Sequence, residues 1–189
     1  MESERNSNLG QANFSKSRKV SSELVSLTYG ALVAQLLKDL EDVDQVNSKL
    51  DQMGESIGSR LVDEVLAKSG VRRCGGSFKE AISSVSNLGF KMYWNIVPKV
   101  ANWSEDGSSC SIVFPTETPL EAFVDIPDKF KGLSYSQILC GVIRGSLSAI
   151  SLVTECKIVK DRLVGDEVTE IEVKLIEVRR EMAGEDYEE

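Results

Sequence analysis

The chain has 189 residues, 41% of them hydrophobic and 28% charged, which suits one soluble globular domain with a sizeable core. A net charge of −8 argues against general nucleic-acid binding, which needs clustered Lys and Arg to displace counterions. There is no histidine, which removes Ser-His-Asp and Cys-His catalysis, histidine-ligated zinc and the commonest general base near neutral pH.

Residues 1–20 are rich in Ser, Asn, Lys and Arg and read as a disordered arm. The start, Met1-Glu2-Ser3-Glu4-Arg5, has neither a secretory pattern nor a glycine for myristoylation. Ser21 or Ser22 then caps a first helix. Val25, Tyr29, Leu32, Leu36, Leu40 and Val43 recur at helical spacing, and Leu24, Leu27, Ala31 and Leu37 broaden the stripe. So broad a stripe suits burial on one side in the domain's own core and on the other against a second subunit, or in the core alone. Asn47 is the expected cap of a second helix, with Leu50, Met53, Ile57, Leu61 and Val65 inward. Gly54 and Gly58 on that side suggest another helix, or a ligand, passing very close.

Arg72-Arg73-Cys74-Gly75-Gly76 is a basic, glycine-loosened hinge. Guanidiniums nearby favour the thiolate, the form that attacks thioesters, and the apolar helices on either side point to attachment of something greasy. The alternative is a surface cysteine without a role. Cys110, Cys140 and Cys156 fall in strand or helix contexts and read as small core residues. No C-x-x-C pair occurs, so reduced cytosolic thiols fit best.

Ser77-Phe78-Lys79-Glu80 has capping-box spacing and opens a third amphipathic helix that runs to about Trp94. Asn102-Trp103-Ser104, a Glu105-Asp106-Gly107 turn and Cys110 to Phe114 read as a β-hairpin. A fourth helix of about 20 residues is expected from Ser134, with Gly141, Gly145 and Ala149 forming a strip of close approach. Its apolar run, Ile138 to Val153, is too short to span a bilayer and carries Arg144, which would cost about 2.5–3.5 kcal/mol at the centre. Glu155 to Val164 and Val168 to Val178 read as strands.

These elements predict an α+β fold, with amphipathic helices on one face of a twisted antiparallel sheet. The expected division is an arm at 1–20, a single domain at 21–180 and an acidic tail at 181–189. Neither the Gly70 to Gly76 nor the Gly141 to Gly145 segment matches a phosphate-binding loop. The acidic residues Asp166, Glu167, Glu170 and Glu172 read as solvated surface rather than a calcium site. No catalytic constellation and no metal site emerges.

Ser22-Glu23-Leu24-Val25-Ser26-Leu27-Thr28-Tyr29-Gly30-Ala31-Leu32-Val33 closely resembles the opening helix of the small core subunits of the transport protein particle, TRAPP. Met53-Gly54, Ile57-Gly58, Arg60-Leu61, Arg73-Cys74, Phe90-Lys91-Met92-Tyr93, Asn102-Trp103-Ser104, Tyr135-Ser136, Leu139-Cys140-Gly141-Val142, Arg144-Gly145 and Val168-Thr169-Glu170-Ile171 match its acylated subunit 3 type, in order. The resemblance covers residues 20–178. It implies a homodimer, heterodimers with related small subunits, and peripheral membrane contact at the endoplasmic reticulum and cis-Golgi. It also implies a role in vesicle tethering and in guanine-nucleotide exchange on a Rab GTPase, without catalysis by this subunit. Further, it implies a palmitoyl thioester on Cys74, with the chain in an internal tunnel. Gly54, Gly58 and Gly89 are the candidates for clearance along that tunnel, and Ile57, Leu61, Val85 and Leu88 for its wall. Lys19, Arg72, Arg73 and Lys91 are the candidates for a basic, membrane-facing surface. The tail after Met182 is a candidate for reaching the GTPase. Gly75-Gly76 departs from bulkier residues in relatives. A sensor that reversibly binds an apolar ligand, and a cysteine acyltransferase, are the competing readings.

Overall fold

The computed structural model describes residues 2–70 and 76–179. Among these, six helices and four strands follow one another as α1 (Glu2–Lys16), α2 (Ser22–Leu40), α3 (Val43–Ser69), α4 (Phe78–Ser84), α5 (Phe90–Trp94), β1 (Lys99–Ala101), β2 (Ser109–Phe114), α6 (Gln137–Ser148), β3 (Leu152–Lys160) and β4 (Thr169–Val178). A π-turn, Val85–Gly89, joins α4 to α5 without interrupting the helical path. The sheet order is β1-β2-β4-β3, antiparallel throughout.

Along β4, Thr169, Ile171, Val173 and Leu175 alternate with Glu170, Glu172 and Lys174, and this alternation sets which face of the sheet meets the helices. Cys110 pairs with Val173 and Val173 with Cys156, while Ile112 pairs with Ile171 and Ile171 with Ile158. These residues, with Phe114, join Leu50, Ile82, Leu139, Ile143 and Leu147 from the helices in one core. On the opposite face Lys157 lies across from Glu172, and Glu155 across from Lys174, so opposite charges face one another. Glu170 departs from its expected solvated place. It is buried, accepts from Asn102 Nδ2 at 2.9 Å, and pairs with Lys160 at 2.9 Å. Ser111 and those partners hold its carboxyl below the ordinary value.

Several local starts and stops differ from expectation. Residues 2–16 are helical rather than a disordered arm, because α1 finds a seat on the α4–α5 helix, described below. Ser21 caps α2, accepting from the Leu24 N–H at 3.2 Å. Asp42, not Asn47, caps α3. Asn47 instead ties α3 to the loop before α6, donating to Gly132 O at 3.0 Å and accepting from Ser134 N at 2.8 Å. Ser77 does cap α4, accepting from Glu80 N, and Glu80 Oε2 accepts from Gly76 N at 2.7 Å.

The fourth predicted helix is shorter than expected. Ser134 and Ser136 sit in tight turns before it, and Ser151, at φ 68°, turns the chain into β3. The apolar run from Ile138 is thus shared between a helix and a strand, and β3 begins at Leu152 rather than Glu155. Residues Arg162–Val164 form a 3-10 turn, not the end of a strand.

Candidate functional site

The site starts from a helix crossing. A Cβ on Gly54 would overlap the carbonyl of Ile138, and one on Gly58 the carbonyl of Val142. Across the contact, Gly141 faces the Asp51 carbonyl and Gly145 that of Glu55 in the same way. Four glycines therefore bring the backbones of α3 and α6 into direct contact. Arg144 locks the crossing through Asp51 at 2.5 Å and Glu55 at 2.9 Å.

With α3 and α6 so close along one edge, the space they share with α4–α5 is left to a cavity of about 280 Å³. Its wall is Ile57, Leu61, Val62 and Val65 from α3, and Ala81, Val85, Gly89 and Phe90 from the α4–α5 helix. Ile138, Leu139, Val142 and Ile150 close it from α6 and just beyond, with Leu120 from the preceding loop. A cavity of roughly 150 Å³ lined by apolar side chains already stays dry and binds benzene. This one is nearly twice that size.

The two serine hydroxyls on its wall are hydrogen-bonded. Ser146 Oγ donates to Gly58 O at 3.1 Å, and Ser84 Oγ accepts from Asn6 Nδ2 at 3.4 Å. Burial, with the Glu64 carboxylate beside it, pushes the Tyr93 phenol well above its ordinary value and keeps it neutral. The interior thus offers hydrocarbon contact and no fixed charge. Ile57 lines the cavity and is also 41% exposed, so the space reaches the surface along α3.

Of the tunnel candidates, Ile57, Leu61, Val85 and Gly89 stand on the cavity wall. Gly54 and Gly58 belong to the α3–α6 crossing instead. Leu88 turns away from the cavity to pack with Val65 and Met92 beneath Leu9 of α1. Gly89 is the open position, since a Cβ there would meet nothing nearer than 3.9 Å.

Cys74, with Arg72 and Arg73, lies outside the described residues, as does the tail from residue 180. What flanks Cys74 is informative. Gly70, at φ 67°, ends α3, and Ser77 begins α4. The hinge therefore joins two helices that both line the cavity. The remaining thiols are buried and free; burial pushes Cys110 and Cys156 up to about 12 and Cys140 higher still, which disfavours the reactive thiolate at each. Lys91 is half-buried with its stem against Gly10, and Lys19 Nζ sits 4.7 Å over the Phe14 ring. The structure thus lays α1 over part of the surface expected to be basic.

Sequence reasoning misses Glu121. Fully buried, it accepts from Thr118 N at 2.9 Å, Ser136 Oγ at 3.0 Å and Thr169 Oγ1 at 2.7 Å, fixing the loop that carries Leu120 into the cavity. An acidic residue among prolines and threonines gives no signal of that kind.

The family model described as transport protein particle (TRAPP) component matches residues 25–174. The chain belongs to the TRAPP component family. It is 44% identical over 95% of its length to trafficking protein particle complex subunit 3 of Dictyostelium discoideum, covering 96% of that protein. It is 43% identical over 85% of its length to subunit BET3 of Saccharomyces cerevisiae, covering 83% of it. A crystal structure of a subunit 3 from Naegleria fowleri, covalently bound to palmitic acid, is 46% identical with a TM-score of 0.79, covering 85% of this chain and 98% of that one. The TRAPP fold of helices against a four-stranded antiparallel sheet is therefore that of this chain.

Proposed function

We propose that this TRAPP-family chain is an architectural, non-catalytic subunit whose Cys74 carries a palmitoyl thioester, with the acyl chain inside the cavity. The observation that carries this is a 280 Å³ apolar cavity between two helices joined by the segment that holds Cys74. The palmitate-bound relative supports the choice of ligand. Left unfilled, such a space would cost on the order of 7 kcal/mol at about 24 cal/mol per Å³. That is comparable to a domain's whole net stability of about 5–15 kcal/mol. About 14 buried methylenes at ~0.8 kcal/mol each reverse that cost. A single acyl chain is a weak membrane anchor, so its role here is as core.

On this reading the subunit works within a vesicle-tethering complex that exchanges nucleotide on a Rab GTPase, peripheral at endoplasmic reticulum and cis-Golgi membranes. Val20, Leu24 and Leu27 are 65%, 56% and 71% exposed at the start of α2, and supply an apolar contact for a homodimer or a related small subunit. Arg72, Arg73, Lys19 and Lys91 contribute about 1 kcal/mol each toward an anionic surface where they reach it. No helix among the described residues is long and apolar enough to cross a membrane.

Intact-mass measurement of the native chain before and after hydroxylamine tests the acyl reading. The expected result is loss of one palmitoyl mass, retained through organic-solvent extraction. A native mass equal to the bare chain would overturn it, and a lipid removed by extraction alone would make the protein a reversible lipid binder.

A further inference from the structure

Helix α1 lies on the outer side of the same helix whose inner side walls the cavity. Asn6, 6% exposed, donates to Ser84, and Ser84 is on the cavity wall. Four residues on, Gly10 is buried; a Cβ there would lie 2.9 Å from Lys91 Cβ and 3.1 Å from the Asn87 carbonyl oxygen. Only glycine lets the two helices meet at that point. Leu9 beside it packs on Val65, Leu88 and Met92.

These contacts bracket the π-turn at Val85–Gly89, whose Val85 and Gly89 face the cavity. A π-turn fits one extra residue into a helical turn, a geometry that occupies well under 1% of residues and recurs at functional sites. It is kept where the surroundings hold it. Helix α1 holds this one from outside, yet its large apolar side chains are Leu9 and Phe14 alone. A 15-residue helix of such composition is marginal by itself in water, so its order depends on the seat it occupies.

We propose that α1 is a reversible latch on the cavity: docked, it holds the π-turn in the form that leaves room for an acyl chain; undocked, residues 84–91 relax toward a regular α-helix and the cavity loses capacity. This rests on the lipid reading of the cavity given above.

The test uses the full chain carrying Cys74→Ser, so that a fluorescent 16-carbon fatty acid binds reversibly, with hydrogen exchange followed over residues 84–91. Gly10→Leu in that background is expected to weaken probe affinity about tenfold, at the low end of ordinary coupling between sites, and to speed exchange at 85–91 in parallel. Asn6→Ala, which introduces no clash, is expected to give the same two changes at about threefold, the effect of one hydrogen bond. Gln11→Ala, on the exposed side of α1, leaves both unchanged. Faster exchange with unaltered affinity, or weaker affinity with unaltered exchange, would overturn the latch while sparing the lipid reading. A Cys74→Ser chain that takes up no probe would overturn both.

Discussion

Replacing Gly89 by leucine separates a cavity that serves a ligand from one that is a packing defect. The position takes a side chain without strain: its φ is −59° and a Cβ finds no atom within 3.9 Å. Leucine would place four carbons in the cavity, contributing about 3 kcal/mol at ~0.8 kcal/mol per carbon. Leaving glycine inside a helix adds up to about 1 kcal/mol more. At about 2–4 °C per kcal/mol for a chain of this size, protein freed of acyl chain should melt several degrees higher as Gly89→Leu than as wild type. The same side chain excludes several methylenes of a palmitoyl group, so loaded wild-type protein should melt above the variant, and the variant should carry less acyl mass when purified. The assay is calorimetry on both proteins before and after hydroxylamine, with intact mass alongside. A Gly89→Leu chain that is less stable after hydroxylamine, or that keeps full acyl occupancy, refutes the reasoning.

Gly58→Ala drives a methyl into the Val142 carbonyl and must part α3 from α6; a loss of about 3 kcal/mol in urea unfolding is expected, and a loss below about 1 kcal/mol would show the crossing to be loose. Leu27→Asp lies on an exposed site, so monomer stability should move by less than about 0.5 kcal/mol while sedimentation shows the subunits separating; a dimer that persists would clear this face of the role. Glu170→Gln should cost about 1–2 kcal/mol at neutral pH, because hydrogen-bonded partners hold that carboxyl below its ordinary 4.5. A depressed carboxyl stabilises above the unfolded value, so the difference between wild type and variant should hold from pH 7 to about 4.5 and vanish below it as the folded-state group protonates. A difference constant down to about pH 3 would count against the pairing.

Legibility from sequence differs by element. The cap at Ser77 and the alternation of β4 are signals that one helix start or strand carries by itself, and both stand in the structure. The stripe expected of α2 stands in part, for Tyr29 is buried and Val25, Leu32, Leu36, Leu37 and Leu40 pack on the core, whereas Leu24, Leu27 and Ala31 are exposed and Val43 begins α3. The glycines are legible as points of close approach but not as to what approaches. Gly54 and Gly58 meet α6, whereas Gly89 opens on the cavity, and the difference depends on which long-range neighbour arrives. Helix α1 reads as disorder because its composition is polar. Its signal is Asn6 and Gly10 four apart around Leu9, faint without the surface that receives them. Glu170 reads as a solvated acid in sequence and Glu121 gives no signal at all; both are buried because partners distant in the chain supply their hydrogen bonds. The resemblance to the TRAPP small subunits reaches further than any periodicity, since it points to an internal apolar space that no spacing of residues reveals.

The most direct measurement is the melting temperature of native protein, intact and after hydroxylamine under otherwise identical conditions. If a hydrocarbon on Cys74 forms part of the core, its removal should lower melting by about 10 °C or more, since several kcal/mol of burial are lost at about 2–4 °C each. An acylated protein that melts at the same temperature once the chain is cleaved would contradict that claim outright.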